Sequence, residues 1–120
     1  MERVAVVGAS PRPERYSHQA MQRLLEHGHQ PLPVSPRGGE LLGQPVVAEL
    51  ADLQGPVDTV TVYLAPERQQ TMLQQLQALR PRRVIFNPGA ENPDQYEALR
   101  QAGIEVEEAC TLVLLSTGQF

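Results

Sequence analysis

The chain has 120 residues and a formal net charge of −4, a length that builds one compact domain of the usual ~100–200 residues rather than two. An acidic balance excludes a general nucleic-acid binder, because no broad basic face is available to displace phosphate counterions. All ten basic residues are Arg, which excludes Schiff-base, lysine-base and P-loop lysine chemistry and leaves guanidinium forks as the strong anion ligands.

Cys110 stands alone, so no internal disulfide forms, in keeping with a reducing compartment. His18, His27 and His29 with one thiol do not assemble a structural zinc site. No apolar run approaches the ~18 residues of a membrane span, and MERVAVVG enters a strand directly without a signal-peptide layout. A soluble, cytoplasmic protein without membrane or nucleic-acid partners is expected.

Arg3 to Val7 is a short Val-rich run ending at Gly8, which predicts a buried parallel strand. Ala20, Met21, Leu24 and Leu25 recur at helical spacing over Ser17–His27, with Ser17 as N-cap and Gly28 as the stop. Gln30 to Val34 returns to an extended pattern, and Pro31 and Pro33 place it at a sheet edge. Glycines and Pro45 then mark a loop over Ser35–Gly55, with a small strand near Val46 and Val47 and a helical turn around Glu49–Leu53. Asp58–Leu64 is a second core strand, and Pro66 suits the first turn of a helix running Glu67–Leu79. Arg82–Phe86 is a strand, Pro93–Ala102 a helix stopped by Gly103, and Ile104–Val106 a short strand. The tail Cys110–Leu115 is apolar and reads as β-like. Alternating β/α units predict a three-layer, Rossmann-like α/β domain with a mostly parallel sheet of five or six strands.

Four strands break into corners of small or turn-forming residues: VAVVGAS, PLPVSPRGG, VTVYLAP and RVIFNPGAEN. In such a sheet these corners meet on the carboxyl rim, where ligands bind. The first corner, GASPRPER, has Gly8 alone where a dinucleotide fingerprint needs three glycines, and no acidic residue ends the second strand, so NAD is disfavoured. What remains is close approach at Gly8 and Ala9, the Ser10 hydroxyl, and Arg12 and Arg15 in front of a helix, a set suited to an anion. The same residues also fit a plain strand-to-helix turn with solvated arginines.

The order of these features (VGAS, a helix ending in HG, a V-x-P loop followed by LG, DTV with a Pro-started helix, a glycine corner, and AGI before a lone Cys) resembles the small CoA-binding domain family. That family shares its fold with the N-terminal domain of the succinyl-CoA synthetase α subunit. The resemblance runs from Val4 to Cys110, and no motif in it is catalytic. By position it implies cofactor-binding residues Gly8, Ala9, Ser10, Arg15 and Tyr16 at the first corner. At the later corners it implies Ser35, Pro36 and Arg37, then Ala65 and Pro66, then Asn87, Pro88 and Gly89, with CoA as the cofactor. The chain departs from the family's usual residues where Ser35-Pro36-Arg37 replaces Asn-Pro-Lys, where Ala65 replaces Arg, and where Asn87 replaces Gln.

Cys110 follows Glu107 and Glu108, which oppose thiolate formation, so a buried structural thiol is expected. Asn92 before Pro93 reads as an N-cap and Glu91 as a rim residue. His18 reads as exposed helix surface, and His27 and His29 as residues favoured by a helix C-terminus. The tail LVLLSTGQF suits docking on its own sheet or a homodimer contact. Two functions follow. One is a non-catalytic module binding CoA or acyl-CoA at the carboxyl rim; the other is a degenerate Rossmann domain serving as an interaction or scaffold protein with no nucleotide. An enzyme is not expected, because paired carboxylates, a triad, a metal cluster and lysine are all missing.

Overall fold

The computed structural model describes all 120 residues, Met1–Phe120. Its main elements are β1 (Arg3–Val7), α1 (Tyr16–Glu26), β2 (Gln30–Val34), β3 (Glu40–Leu41), β4 (Gln44–Pro45), β5 (Thr59–Val62), α2 (Met72–Leu79), β6 (Arg83–Phe86), α3 (Tyr96–Gln101), β7 (Glu105–Glu108) and α4 (Thr111–Ser116). The 5-stranded sheet runs β2-β1-β5-β6-β7, parallel at every pairing. This is the expected α/β architecture. The connection leaving β1 runs toward β2 while the one leaving β2 crosses to β5, so the topological switch lies between β1 and β5.

Both sheet faces are covered, which is why the central strands read as unbroken apolar runs. Val4 and Val6 pack with Met21, Leu24 and Leu115 under α1 and α4. Ala5 and Val7, one residue out of phase, join Val60, Val62, Val84, Phe86, Leu76 and Leu99 beneath α2 and α3. β2 lies at one edge, where prolines that lack N–H donors cost the ladder little. Val47 adds a single parallel bridge outside it, with the Ser35 amide donating to the Val47 carbonyl at 2.8 Å. β7 closes the other edge with Glu105, Glu107 and Glu108, charges that discourage further strand pairing.

Several local expectations are corrected. The tail is a helix: Thr111 and Leu115, four residues apart, are its buried face, and a short apolar run carries no period that separates strand from helix. It docks on its own chain, one of the two placements expected for it, with Leu115 beside Met21 and Leu24 and Phe120 at the edge of that cluster. Arg15, not Ser17, occupies the N-cap of α1, while Ser17 is buried in the first turn. The predicted helix over Glu67–Leu79 is a 3₁₀ turn, Pro66–Arg68, followed by α2. The break falls at Gln69, whose fully buried side chain donates to the carbonyls of Leu64 (2.8 Å) and Ala90 (2.7 Å). Asn92 stands at the N-cap position of its turn but makes no side-chain cap; its Nδ2 donates instead to Gln69 Oε1 at 3.2 Å.

Candidate functional site

The carboxyl rim opens at the switch point into a groove of about 640 Å³. Its walls come from three corners: Val7, Gly8 and Ala9 after β1, Val34 to Arg37 after β2, and Leu64, Arg68 and Thr71 after β5. Leu50 closes one end and Met72 and Gln75 of α2 another. Gln75 Oε1 accepts the Ala51 amide at 3.1 Å, which ties α2 to the turn at Leu50–Asp52 and holds that wall in place.

Gly8 is required where it stands. Its φ of +88° is left-handed, and an added Cβ would lie 3.2 Å from Leu64 Cδ2 and 3.3 Å from the Tyr63 carbonyl carbon. The amides of Gly8 and Ala9 are spent on the Val34 carbonyl, at 3.0 and 3.2 Å, so this corner supplies the groove with close approach rather than free donors. On the opposite side Ser35 Oγ accepts the Arg37 amide at 3.3 Å, and the Ser35 carbonyl accepts the Gly38 amide at 3.2 Å. That turn projects Arg37 from a buried serine onto the groove's rim.

The predicted residues therefore divide. Gly8, Ala9, Ser35, Pro36 and Arg37 line the groove. Ser10, Arg15 and Tyr16 lie along the approach to α1 and are not among its walls. There the amides of Tyr16, Ser17 and His18 have no hydrogen-bond partner, α1 has neither a side-chain cap nor an acidic residue in its first turn, and Tyr16 is 70% exposed. Ala65 and Pro66 start the 3₁₀ turn whose last residue, Arg68, reaches the groove in their place. Asn87 is 2% exposed and fully engaged: Nδ2 donates to Thr61 Oγ1 (2.7 Å) and the Val62 carbonyl (2.9 Å), and Oδ1 accepts the Thr111 amide (2.9 Å). It joins α4 to the sheet. Pro88 and Gly89 are exposed beside it, with the Gly89 amide donating to Glu91 Oε1 at 2.8 Å.

Sequence reasoning missed other roles. His18 is only 7% exposed, not surface; its Nδ1 donates to the Ser10 carbonyl at 2.9 Å and clips the proline-rich loop to α1. Its spacing of three residues from Met21, on the apolar face of the helix, was the available signal. Arg83 is 4% exposed, donating to Thr59 Oγ1 at 2.9 Å and the Phe120 carbonyl at 3.0 Å, with its guanidinium 4.4 Å over the Phe120 ring. Cys110 is half-buried at the N-cap position of α4 rather than fully buried. Burial is the main reason that Tyr63 and Tyr96 are both pushed up to about 12; for Tyr96, donation to Glu108 adds to it. No group of three or more His, Cys, Asp or Glu is placed to hold a metal ion, and no helix is long and apolar enough to cross a membrane.

Comparison with known proteins agrees with this fold. Residues 2–116 match the family model described as "CoA binding domain". The uncharacterized protein YneT of Bacillus subtilis (strain 168) is 32% identical over 104 residues, covering 85% of this chain and 76% of that protein. The structure of cell-free ID.343 from Thermus thermophilus superposes with a TM-score of 0.90 at 38% identity, over 99% of this chain and 90% of that one. A likeness of fold alone extends to the apo form of a dinucleotide forming acetyl-coenzyme A synthetase 1 from Ca. Korarchaeum cryptofilum. There the TM-score is 0.76 at 18% identity, over 88% of this chain and 25% of that one. The corners seen in the sequence, the switch-point groove they build and a family match spanning almost every residue lead to one conclusion: the chain belongs to the CoA binding domain family.

Proposed function

We propose that the chain binds CoA or acyl-CoA in the switch-point groove and does not turn it over. The observation that carries this reading is the groove itself: it lies where the two crossover directions part, has the volume of a ligand pocket, and is bordered by a cation on the β2 corner. Val7, Ala9, Val34, Leu50, Leu64 and Met72 offer an apolar bed for the adenine ring or the pantetheine arm, and the Arg37 guanidinium takes a phosphate at the rim. The open amides of α1 extend the positive potential along the same β1 corner. The polar lining consists of hydroxyl, amide and guanidinium groups with one carboxylate, Glu49, and has no imidazole or thiol to form a nucleophile–base pair. This composition supports binding over catalysis.

Calorimetric titration of the purified, ligand-free chain with CoA, ADP and NAD at fixed salt tests the proposal. Saturable binding of CoA at about micromolar Kd, tighter than NAD, is expected, and Arg37→Ala should weaken it roughly 10-fold or more. Absence of CoA binding by the wild-type chain, or an unchanged affinity for NAD and CoA alike, would overturn it.

A further inference from the structure

Building on the reading of the groove as a CoA site, we infer that Arg68 is a second anion ligand. Arg37 and Arg68 then hold two different phosphate positions, so that the groove selects ligands carrying both.

The arginine inventory leads to this. Arg12 and Arg23 pair with Glu14 and Glu26, Arg82 and Arg83 with Glu2, and Arg83 also with Glu107. Arg3 donates to the Gln54 and Pro56 carbonyls, and Arg100 lies over the Tyr96 ring. The side chains of Arg15, Arg37, Arg68 and Arg80 have no such partner, and of these four Arg37 and Arg68 line the same groove. An unpaired arginine on an exposed surface is ordinary; two on the walls of one groove that holds a single carboxylate, in a chain of net charge −4, give a local positive balance against the overall field.

Their anchoring separates them. Arg37 follows β2 and Arg68 follows β5, with β1 between. At a strand spacing of about 4.8 Å the two corners stand roughly 10 Å apart. A ligand bridging that span with an anion at each side fits better than one compact anion. Arg68 is also held firmly: Pro66 sets the first position of its 3₁₀ turn, and its neighbour Gln69 is fully buried and bonded to the Leu64 and Ala90 carbonyls. The turn fixes where the Arg68 side chain leaves the backbone, so only that side chain's own rotamers are ordered when it meets a phosphate. Glu49, the carboxylate of the groove, forms no ion pair with either arginine, and its single negative charge is outnumbered by the two guanidiniums. CoA carries a 5′-pyrophosphate and a 3′-phosphate on opposite sides of one ribose, which supplies two such anions.

The test is a matrix of three proteins (wild type, Arg37→Gln and Arg68→Gln) against CoA, dephospho-CoA and ADP at fixed ionic strength, with urea midpoints confirming intact folding. Arg68→Gln should lose about 10-fold or more in CoA affinity. One of the two variants, and only one, should bind CoA and dephospho-CoA alike, because its arginine was the partner of the 3′-phosphate. Arg68→Gln binding CoA within twofold of wild type would overturn the inference while leaving the groove as a CoA site. So would equal losses of both variants on every ligand, or full discrimination of the 3′-phosphate retained by both. Failure of wild type to bind CoA would overturn both readings.

Discussion

Asn87→Ala offers the sharpest test of how α4 is fastened to the sheet, and it separates a structural asparagine from a ligand contact. The wild-type side chain makes bonds of 2.7, 2.9 and 2.9 Å to Thr61 Oγ1, the Val62 carbonyl and the Thr111 amide. After truncation Thr61 Oγ1 keeps Thr111 Oγ1 at 2.8 Å, and the Val62 carbonyl keeps the backbone amide of residue 87 at 3.3 Å. The Thr111 amide, in a fully buried residue, keeps nothing. An orphaned buried donor costs about 1–3 kcal/mol and the two weakened acceptors about 0.5–1 kcal/mol each, for a total near 3 kcal/mol. Against a domain stability of about 5–15 kcal/mol this is a large share, and at roughly 4 °C per kcal/mol the Tm should fall by about 12 °C. Urea unfolding followed by far-ultraviolet circular dichroism measures it. Asn87→Asp sharpens the test, since it retains an acceptor for the Thr111 amide but faces a carboxylate against the Val62 carbonyl. It should be destabilised at neutral pH and partly rescued on acidification, when the protonated carboxyl regains a donor. A loss below about 1 kcal/mol with an unchanged m-value, together with weakened CoA binding, would refute the structural role and return Asn87 to the ligand set.

Gly8→Ala forces a left-handed φ of +88° on a residue with a Cβ and presses it against Tyr63 and Leu64. About 1–3 kcal/mol of destabilisation in urea is expected, and a change within 0.5 kcal/mol contradicts the close approach. Tyr63 and Tyr96, raised to about 12, favour the protonated folded form. Their stabilising contribution is complete below pH ~10 and is lost as pH rises from about 10 to 12. Ultraviolet absorbance titration should show two late phenols, and ionisation of both near 10 in the folded protein would exclude the burial described. His29, whose Nδ1 accepts the Glu2 amide at 3.0 Å, is held below 6.5 chiefly by burial, with Glu2 opposing and the chain amino group, His27 and Arg83 reinforcing. The unfolded chain therefore binds the proton more readily, so stability falls as pH drops below ~6.5. His29→Asn, which keeps an acceptor without the titration, should flatten the urea midpoint between pH 6.5 and about 5; an unaltered slope rules the assignment out.

The strands were legible because burial on both faces demands short Val- and Ile-rich runs, and such runs can be read without knowing what covers them. The helix stops at Gly28 and Gly103, both at φ +81°, were legible because only a residue without Cβ takes that turn at no cost. The groove was half legible. Gly8, Ala9, Ser35, Pro36 and Arg37 follow strands directly, and parallel topology brings such corners together. Arg68 is several residues past its strand, and its approach to the groove depends on the 3₁₀ turn that buried Gln69 enforces.

Local pattern by itself determined the alternation of β and α units, the edge position of β2 and the rim that carries the corners, because propensity, periodicity and backbone permissiveness act within a few residues. Tertiary structure alone decided that the apolar tail is a helix over Thr61 and Asn87, that His18 and Arg83 are buried, and that the Gly8 and Ala9 amides are spent on Val34. Each of these turns on which polar groups, remote in the chain, arrive close enough to satisfy one another. A buried donor or acceptor is tolerated only where such a partner arrives.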